Sequence, residues 1–138
     1  MVPLAGWSHE VLLPAEPKSV AVAREFVSRH LVGHGLSRLV EDVRLVVSEL
    51  ATNAVEHART PFIVTLSGGD RTVLLAVQDG STSAPARSAS EALATSGRGL
   101  LLVEQLSQDW GTSTEGEALK SVWASFTSRP EHLQLHRT

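Results

Sequence analysis

The order of helical and extended segments constrains this chain more than any other feature of its sequence. Apolar residues recur at helical spacing from about residue 17 to the glycines at 33 and 35, and again over residues 37–58. Two runs that alternate apolar and polar side chains follow, at 62–66 and 72–78, with a Gly-Gly-Asp turn between them. Turns of this kind join antiparallel strands. The pattern predicts two consecutive helices and then a β-hairpin.

The remaining segments complete a two-layer arrangement. A short extended piece at residues 10–13 precedes the first helix, a third helix is predicted over 100–106, and two further strands over 109–113 and 119–126. This order lacks the strict strand–helix alternation of a parallel doubly wound sheet. It predicts an α/β, or α+β, two-layer sandwich: a mixed, mostly antiparallel sheet covered on one face by helices.

Between the hairpin and the third helix lies a long segment of different composition. Residues 80–98 are rich in Ser, Thr, Ala, Gly and Pro and contain hardly any bulky apolar side chain. Loops of this length inside a compact domain are uncommon and often act as lids over a site. We expect one domain over residues 1–138, with a core at about 10–128 and a mobile lid at about 80–98.

Composition excludes several classes of protein. The chain has 138 residues, a formal net charge of −3 and no cysteine, which argues against a disulfide scaffold, a thiolate metal site and a nucleic-acid-binding stripe. Its start resembles no signal peptide, and no apolar run approaches the ~20 residues that a membrane helix needs. These features predict a cytoplasmic protein with no direct contact to nucleic acid or membrane.

Polar residues follow one row along the second helix. Glu49, Asn53 and His57 are spaced four apart, and Asp42 lies in the same row. The helical angle places Glu49 and Asn53 at the border of the apolar stripe, where polar groups need partners. One interpretation is that Asn53 offers an oxygen to Mg²⁺ while Glu49 accepts a proton from a nucleophile. The other is an ordinary solvated helix face, and we expect His57 to be a packing or helix-end residue.

Asp79 and the glycines after the loop form two more candidate sites. Asp79 is in phase with the apolar row of its strand and should point inward. There it could be a paired structural acid or an acceptor for the exocyclic amine of a purine. Gly97 and Gly99 stand before a helix, where they could form a simple turn or bring free N–H groups to an anion.

The histidines at 30 and 34 and two tryptophans have simpler interpretations. His30 and His34 are four residues apart, but the glycines at 33 and 35 should interrupt the helix, so we expect no metal site there. We expect Trp110 and Trp123 to be core or interface aromatics. Alternation does not decide which face of its strand Trp123 occupies.

Five stretches carry a joint signal: residues 48–58, 79–81, 97–103, 110–111 and 120–124. Together they closely resemble the bacterial histidine-kinase-like ATPases, also called the GHKL family. Within that family they resemble the anti-sigma-factor serine/threonine kinase branch, which includes small single-domain regulators. The resemblance extends from about residue 13 to residue 126.

The resemblance implies roles for three of the candidate residues. Asn53 matches the family's Mg²⁺ ligand, and Glu49 matches the acid that serves as general base in members that transfer phosphate. Asp79 matches the aspartate that binds the adenine amino group. The implied cofactors are therefore ATP and Mg²⁺.

The resemblance also assigns the second glycine box and one residue of the last strand. Gly97, Arg98, Gly99 and Leu100 match the segment whose backbone meets the phosphates, and Ser121 stands where relatives often have a threonine near the nucleotide. The first glycine box departs from the family pattern, because residues 79–83 read Asp-Gly-Ser-Thr-Ser and lack the later glycines.

The implied function is an ATP-binding anti-sigma-factor-like regulator. Such a protein would phosphorylate a serine or threonine of an antagonist protein of the STAS type and sequester a sigma factor, and by analogy it would be a homodimer. The alternative is a nucleotide-dependent module that binds a partner without kinase activity.

Overall fold

A computed structural model describes residues 6–80, 99–115 and 119–128 of the chain. The elements follow in the order β1 Trp7–Leu13, α1 Lys18–Gly33, α2 Val40–Asn53, β2 Phe62–Gly68, β3 Thr72–Asp79, α3 Gly99–Leu106, β4 Asp109–Glu115 and β5 Leu119–Thr127. The expected lid at 80–98 falls almost entirely outside the described residues. Every helix and strand predicted from the sequence is present, although β1 begins three residues earlier than expected.

The five strands form one sheet in the order β1-β2-β3-β5-β4. All four pairs of neighbouring strands are antiparallel, so the expected two-layer fold is confirmed, and its sheet is antiparallel throughout the described strands rather than mixed. The β2–β3 hairpin closes where Gly69 N donates to Thr72 O at 3.0 Å. This hairpin lies at the centre of the sheet and supplies its most buried strands.

The core lies between one face of the sheet and the three helices. Alternation along β2 and β3 buries every second residue on this helix-facing side, as expected for strands with one covered face. The core side chains with no solvent exposure include Phe62, Leu66, Leu75, Val43, Val46, Val47 and Val103. Both α1 and α2 bury side chains in this core, and α1 contacts β1 and β2 while α2 contacts β3.

The first helix ends at the glycines, as the sequence predicts, but it includes Gly33. Pro17, whose fixed φ suits a helix start, precedes α1, and the helix runs through Gly33 before His34 ends it. Gly35 then adopts φ +74, which only glycine takes readily. The expectation that Gly33 interrupts the helix is therefore wrong, and His30 and His34 lie one helical turn apart.

The segment predicted as one helix over residues 37–58 is divided into three. A 3₁₀ turn, Ser37–Leu39, leads into α2, and a π-helical turn, Ala54–Ala58, follows it. Arg59 ends this turn in the left-handed conformation at φ +60, and its N–H donates to Ala54 O, five residues back, at 3.1 Å. The wider turn shifts everything after Asn53 out of the regular helical register.

Two tryptophans lie over glycines on neighbouring strands. Trp7 on β1 pairs with Gly68, and Trp123 on β5 pairs with Gly111. A Cβ atom at Gly111 would stand 2.8 Å from Cζ2 of Trp123, so only glycine leaves room for the indole. Alternation along β5 puts Trp123 on the face that the helices do not cover, because Ala124 and Phe126 are buried on the other side. Trp110 packs partly buried against the core, as expected.

None of the helices in the described parts of the chain is long and apolar enough to span a membrane.

The packing of Trp123 on Gly111 predicts a contrast between two glycine substitutions. Gly111→Ala should lower the free energy of unfolding by about 1–3 kcal/mol, because the added methyl displaces a large ring from a close contact. Gly33→Ala should leave stability equal or raise it by up to about 1 kcal/mol, since its added Cβ would meet open space within a helix. Urea denaturation of the two variants and the native chain measures both values. Equal stability of Gly111→Ala and the native chain would contradict this packing.

Candidate functional site

The carboxyl-terminal end of α2 carries the amide that the sequence singled out. Asn53 is the last residue of this helix and is half-buried. Its Nδ2 donates to the main-chain O of Glu49 at 2.7 Å, one turn earlier. Because this bond uses the amide nitrogen, it fixes the orientation of the group and leaves Oδ1 as the atom that can meet a ligand.

Glu49 lies on the same edge of α2 as Asn53. It is half-buried, between the core residue Leu50 and the partly exposed Ser48. The described residues provide no hydrogen bond or ion pair to its carboxylate. Further along the same row, burial raises the pKa of the Asp42 carboxyl, and the neighbouring Glu41 raises it further. The predicted border location is therefore confirmed for Asp42, Glu49 and Asn53, whereas His57 is exposed on the π-helical turn.

Asp79 ends β3 on the side of the sheet that faces the helices. It follows Val73, Leu75 and Val77 in the buried row and is itself half-buried. It pairs with Phe62 on β2 and Lys120 on β5. The inward orientation predicted from alternation is thus present, with a fully buried phenylalanine on one side of the carboxylate and a lysine on the other.

A short connection brings the ends of α2 and β3 together. The π-helical turn after Asn53 packs against β3, and Thr60 lies in the short connection between this turn and β2. Thr60 Oγ1 accepts a hydrogen bond from Gly80 N at 3.1 Å, so the residue after Asp79 is tied to the segment after Asn53. The structure therefore places Glu49, Asn53 and Asp79 at one end of the helix–sheet interface. Sequence reasoning missed Thr60, and only the Thr-Pro step before β2 could have drawn attention to it.

The structure places Ser121 on the opposite face of the sheet from Asp79. Ser121 is only 8% exposed and pairs with Gln78 and Ser113, whereas Lys120 is the β5 residue directly across from Asp79. Alternation along β5 gives Lys120, not Ser121, the helix-facing side. In this strand register, the Ser121 side chain therefore lies on the wrong face of the sheet to contact a nucleotide at Asp79.

The second glycine box is described only in part. Gly97 and Arg98 lie outside the described residues, and Gly99 and Leu100 begin α3. At the other end of α3, Gln108 N donates to Ser125 O at 2.7 Å. This hydrogen bond holds the carboxyl-terminal end of α3 against β5 at Ser125. Asp79 pairs with Lys120, near the opposite end of β5. Val103, with no solvent exposure, packs α3 into the core beside α2.

The donor set at the end of α2 fits a hard divalent cation in part. Mg²⁺ is bound through one or two protein oxygens together with phosphates and waters, and Asn53 Oδ1 is one such oxygen. No group of three His, Asp or Glu side chains that could hold a metal occurs within the described ranges. A cation at Asn53 would therefore depend on ligands that come from a nucleotide and from water.

Comparisons with known proteins identify the relatives of this fold. The family described as "Histidine kinase-like ATPase domain" matches residues 13–126. Among solved structures, the RsbU and RsbW domains of Rv1364c from Mycobacterium tuberculosis match with a TM-score of 0.67 and 21% sequence identity. That match covers 90% of this chain and 33% of the other, so this chain spans about a third of the length of that relative. A search of curated proteins finds no match.

The family match covers most of the chain and includes Glu49, Asn53 and Asp79. The structural match independently supports the two-layer antiparallel fold. The chain belongs to the family of histidine kinase-like ATPase domains.

Proposed function

We propose that this protein binds ATP·Mg²⁺ at the end of the α2–sheet interface and regulates a sigma-factor pathway as an anti-sigma-factor-like serine/threonine kinase. The observation that carries the proposal is the convergence of Asn53, Glu49 and Asp79 at one end of the fold. The family match supports nucleotide binding, and the RsbW domain named in the structural match is consistent with this class of regulator.

Asp79 would recognise the base of the nucleotide. Its carboxylate stands at the end of a buried apolar row and can accept a hydrogen bond from an exocyclic amine. Adenine presents such an amine, whereas guanine presents a carbonyl oxygen at the corresponding position.

Asn53 and Glu49 would act at the phosphate end. The hydrogen bond from Nδ2 to Glu49 O orients the Asn53 amide, so that Oδ1 could hold the cation. When bound, Mg²⁺ would offset the negative charge of the phosphates. The Glu49 carboxylate could accept the proton of a serine or threonine hydroxyl as that oxygen attacks the γ-phosphorus and the bond to ADP breaks.

A groove that includes Ser48, the residue before Glu49 in the chain, supports the docking of a protein substrate. It lies between α1 and α2, has a volume of about 660 Å³ and begins at Ser48. Arg24 Nη1 donates to Ser48 Oγ at 3.2 Å, and Arg44, one turn earlier on α2, also lines the groove. Leu45 is 44% exposed beside them. Glu41 also lines the groove, so the two arginines leave a net positive charge beside the exposed leucine. This lining suits a partner segment that carries acidic and aliphatic side chains.

The proposed adenine contact predicts a loss of affinity in Asp79→Asn. The ATP dissociation constant should rise by about tenfold or more, because a charged acceptor contributes more to a hydrogen bond than a neutral one. Isothermal titration with ATP and Mg²⁺ measures this constant. Asp70→Asn, which makes the same change in the exposed turn between β2 and β3, is the matched control and should bind as the native chain does. Equal affinity of Asp79→Asn and Asp70→Asn would refute the assignment of Asp79.

If Glu49 is the general base, its replacement should impair phosphate transfer without weakening ATP binding. Glu49→Gln should reduce phosphate transfer from γ-labelled ATP to purified STAS-type antagonist proteins by about 10²–10⁴-fold, with the ATP dissociation constant unchanged. Glu56→Gln changes an exposed glutamate on the π-helical turn and serves as the control. If the native chain binds ATP but labels none of these proteins, the binding-module alternative replaces the kinase.

If the groove docks the partner protein, changes in its lining should weaken partner binding without weakening ATP binding. Replacing Arg24 and Arg44 by alanine should weaken binding of the unphosphorylated antagonist, the substrate, by about tenfold and leave ATP affinity unchanged, since the groove lies outside the nucleotide contacts. Lys18→Ala removes one cation that is 81% exposed on α1 and is the control for loss of a surface charge. Surface plasmon resonance at two salt concentrations measures both interactions. Unaltered partner binding by the double variant would rule out this docking surface.

A further inference from the structure

Three histidines meet where β1 passes the carboxyl-terminal end of α1. His9 Nε2 and His34 Nε2 are 2.9 Å apart. The His9 ring also stacks on His30 with centroids 3.8 Å apart and planes 15° from parallel. On the other side, His34 stacks on Trp7 at 3.9 Å with an interplanar angle of 8°. We call the side chains of His9, His30 and His34 the imidazole cluster.

The contact between His9 and His34 is a hydrogen bond rather than half of a metal site. Their ring centroids are 5.1 Å apart, which exceeds the distance between the two nitrogens by about 2.2 Å. This excess is close to twice the distance from the centre of an imidazole ring to its nitrogen, as expected when both nitrogens lie on the line that joins the centroids. The two nitrogens therefore point at each other head-on. Two ligands of one metal ion would instead point toward a third position, and no three-residue metal group is found in the described chain.

A head-on contact between two imidazole nitrogens depends on their protonation. In the neutral pair one nitrogen carries hydrogen and donates to the lone pair of the other. One added proton can stay within this pair, because the protonated ring still has a neutral acceptor to face. When both rings are protonated, both nitrogens are donors and the hydrogen bond is lost.

The surroundings of the imidazole cluster do not offset this positive charge. Burial, with His9 next in effect, lowers the pKa of both His30 and His34, and Arg29 on α1 lowers that of His30 further. On β2, the residues paired with His9 and Trp7 are Leu66 and Gly68, which do not titrate.

The carboxylates of neighbouring elements lie elsewhere. Glu10 follows His9 on β1, and strand alternation directs it to the other face of the sheet, where it is exposed. Phe26, which meets His30 edge-on at 4.8 Å, is the remaining aromatic contact of the cluster. Within the described residues, the cluster therefore faces an arginine and apolar side chains but no carboxylate.

We propose that the imidazole cluster is a proton-sensitive latch that holds the edge strand β1 against α1 when neutral and releases it when doubly protonated. Among the described strands, β1 pairs with β2 alone, and the stacked rings connect its amino-terminal half to the carboxyl-terminal end of α1. Release of the cluster would free Trp7 from its place over Gly68 as well.

The direction of the pH effect follows from the lowered pKa values. The ordinary pKa of a histidine is 6.5, and in the attached state the pKa values of His30 and His34 lie below it. As the pH falls from this value, the released state therefore binds protons first, and attachment weakens. The stabilisation is fully present above pH 6.5 and is lost as the pH falls through the lower pKa values of the folded state.

Amide hydrogen exchange of the full-length chain at about pH 7.5 and about pH 5.5 tests the latch, with EDTA present and rates corrected for intrinsic exchange. Relative to the amides of β3, protection of the β1 amides should fall by at least about tenfold at the lower pH. Unchanged relative protection of β1 would overturn the proposal.

Two variants test whether the pH response of β1 comes from the imidazole cluster or from a general loss of stability in acid. In His34→Gln the amide can still contact His9 but does not titrate, so the pH response of β1 should shrink to less than about threefold. His30→Phe keeps an aromatic ring on His9 and should also reduce the response, which covers the case that His34→Gln does not fold. His57→Gln changes an exposed histidine outside the cluster and should respond as the native chain does. A full native response in both cluster variants would contradict the proposal.

Discussion

The packing of α2 between the other helices and the sheet determines where the candidate site can form. Val43, Val46 and Val47 have no solvent exposure where α2 packs against α1, α3 and β3, and burial of a valine side chain stabilises a fold by roughly 1.5–3 kcal/mol. The same contact fixes the rotation of α2 about its axis. Glu49 and Asn53 therefore lie at the edge of the interface, half-buried, and at the end where β3 presents Asp79.

The π-helical turn connects the end of α2 to the end of β3, where the candidate site lies. A regular helix through residues 54–58 would continue the register of α2, whereas the wider turn ends in the left-handed Arg59 and delivers Thr60 to the end of β3. Single π-turns within helices are often found at functional sites because they redirect the chain without unfolding it. Here the turn lies directly between Asn53 and the strand that pairs with Asp79.

Much of this arrangement could be predicted from periodicity, because both helices and strands bury one face. The border location of Glu49 and the inward orientation of Asp79 follow from the helical angle and from strand alternation. The π-turn could not be predicted in this way, since its residues have ordinary helix-forming character. The face of Trp123 was undetermined because Val122, Ala124 and Phe126 competed for the buried side.

The imidazole cluster could not be predicted from local patterns, because His9 and His34 are 25 residues apart in the chain and meet only through tertiary packing. The expected break at Gly33 also concealed that His30 and His34 lie on one turn.

We expect a purine nucleotide with its cation to lie between Asp79 and Asn53. A crystal structure of the chain with Mg²⁺ and a non-hydrolysable ATP analogue would show its position. The adenine amino group should lie within hydrogen-bond distance of the Asp79 carboxylate, and the cation should lie on Asn53 Oδ1. An analogue bound elsewhere, with both side chains facing solvent, would contradict this expectation.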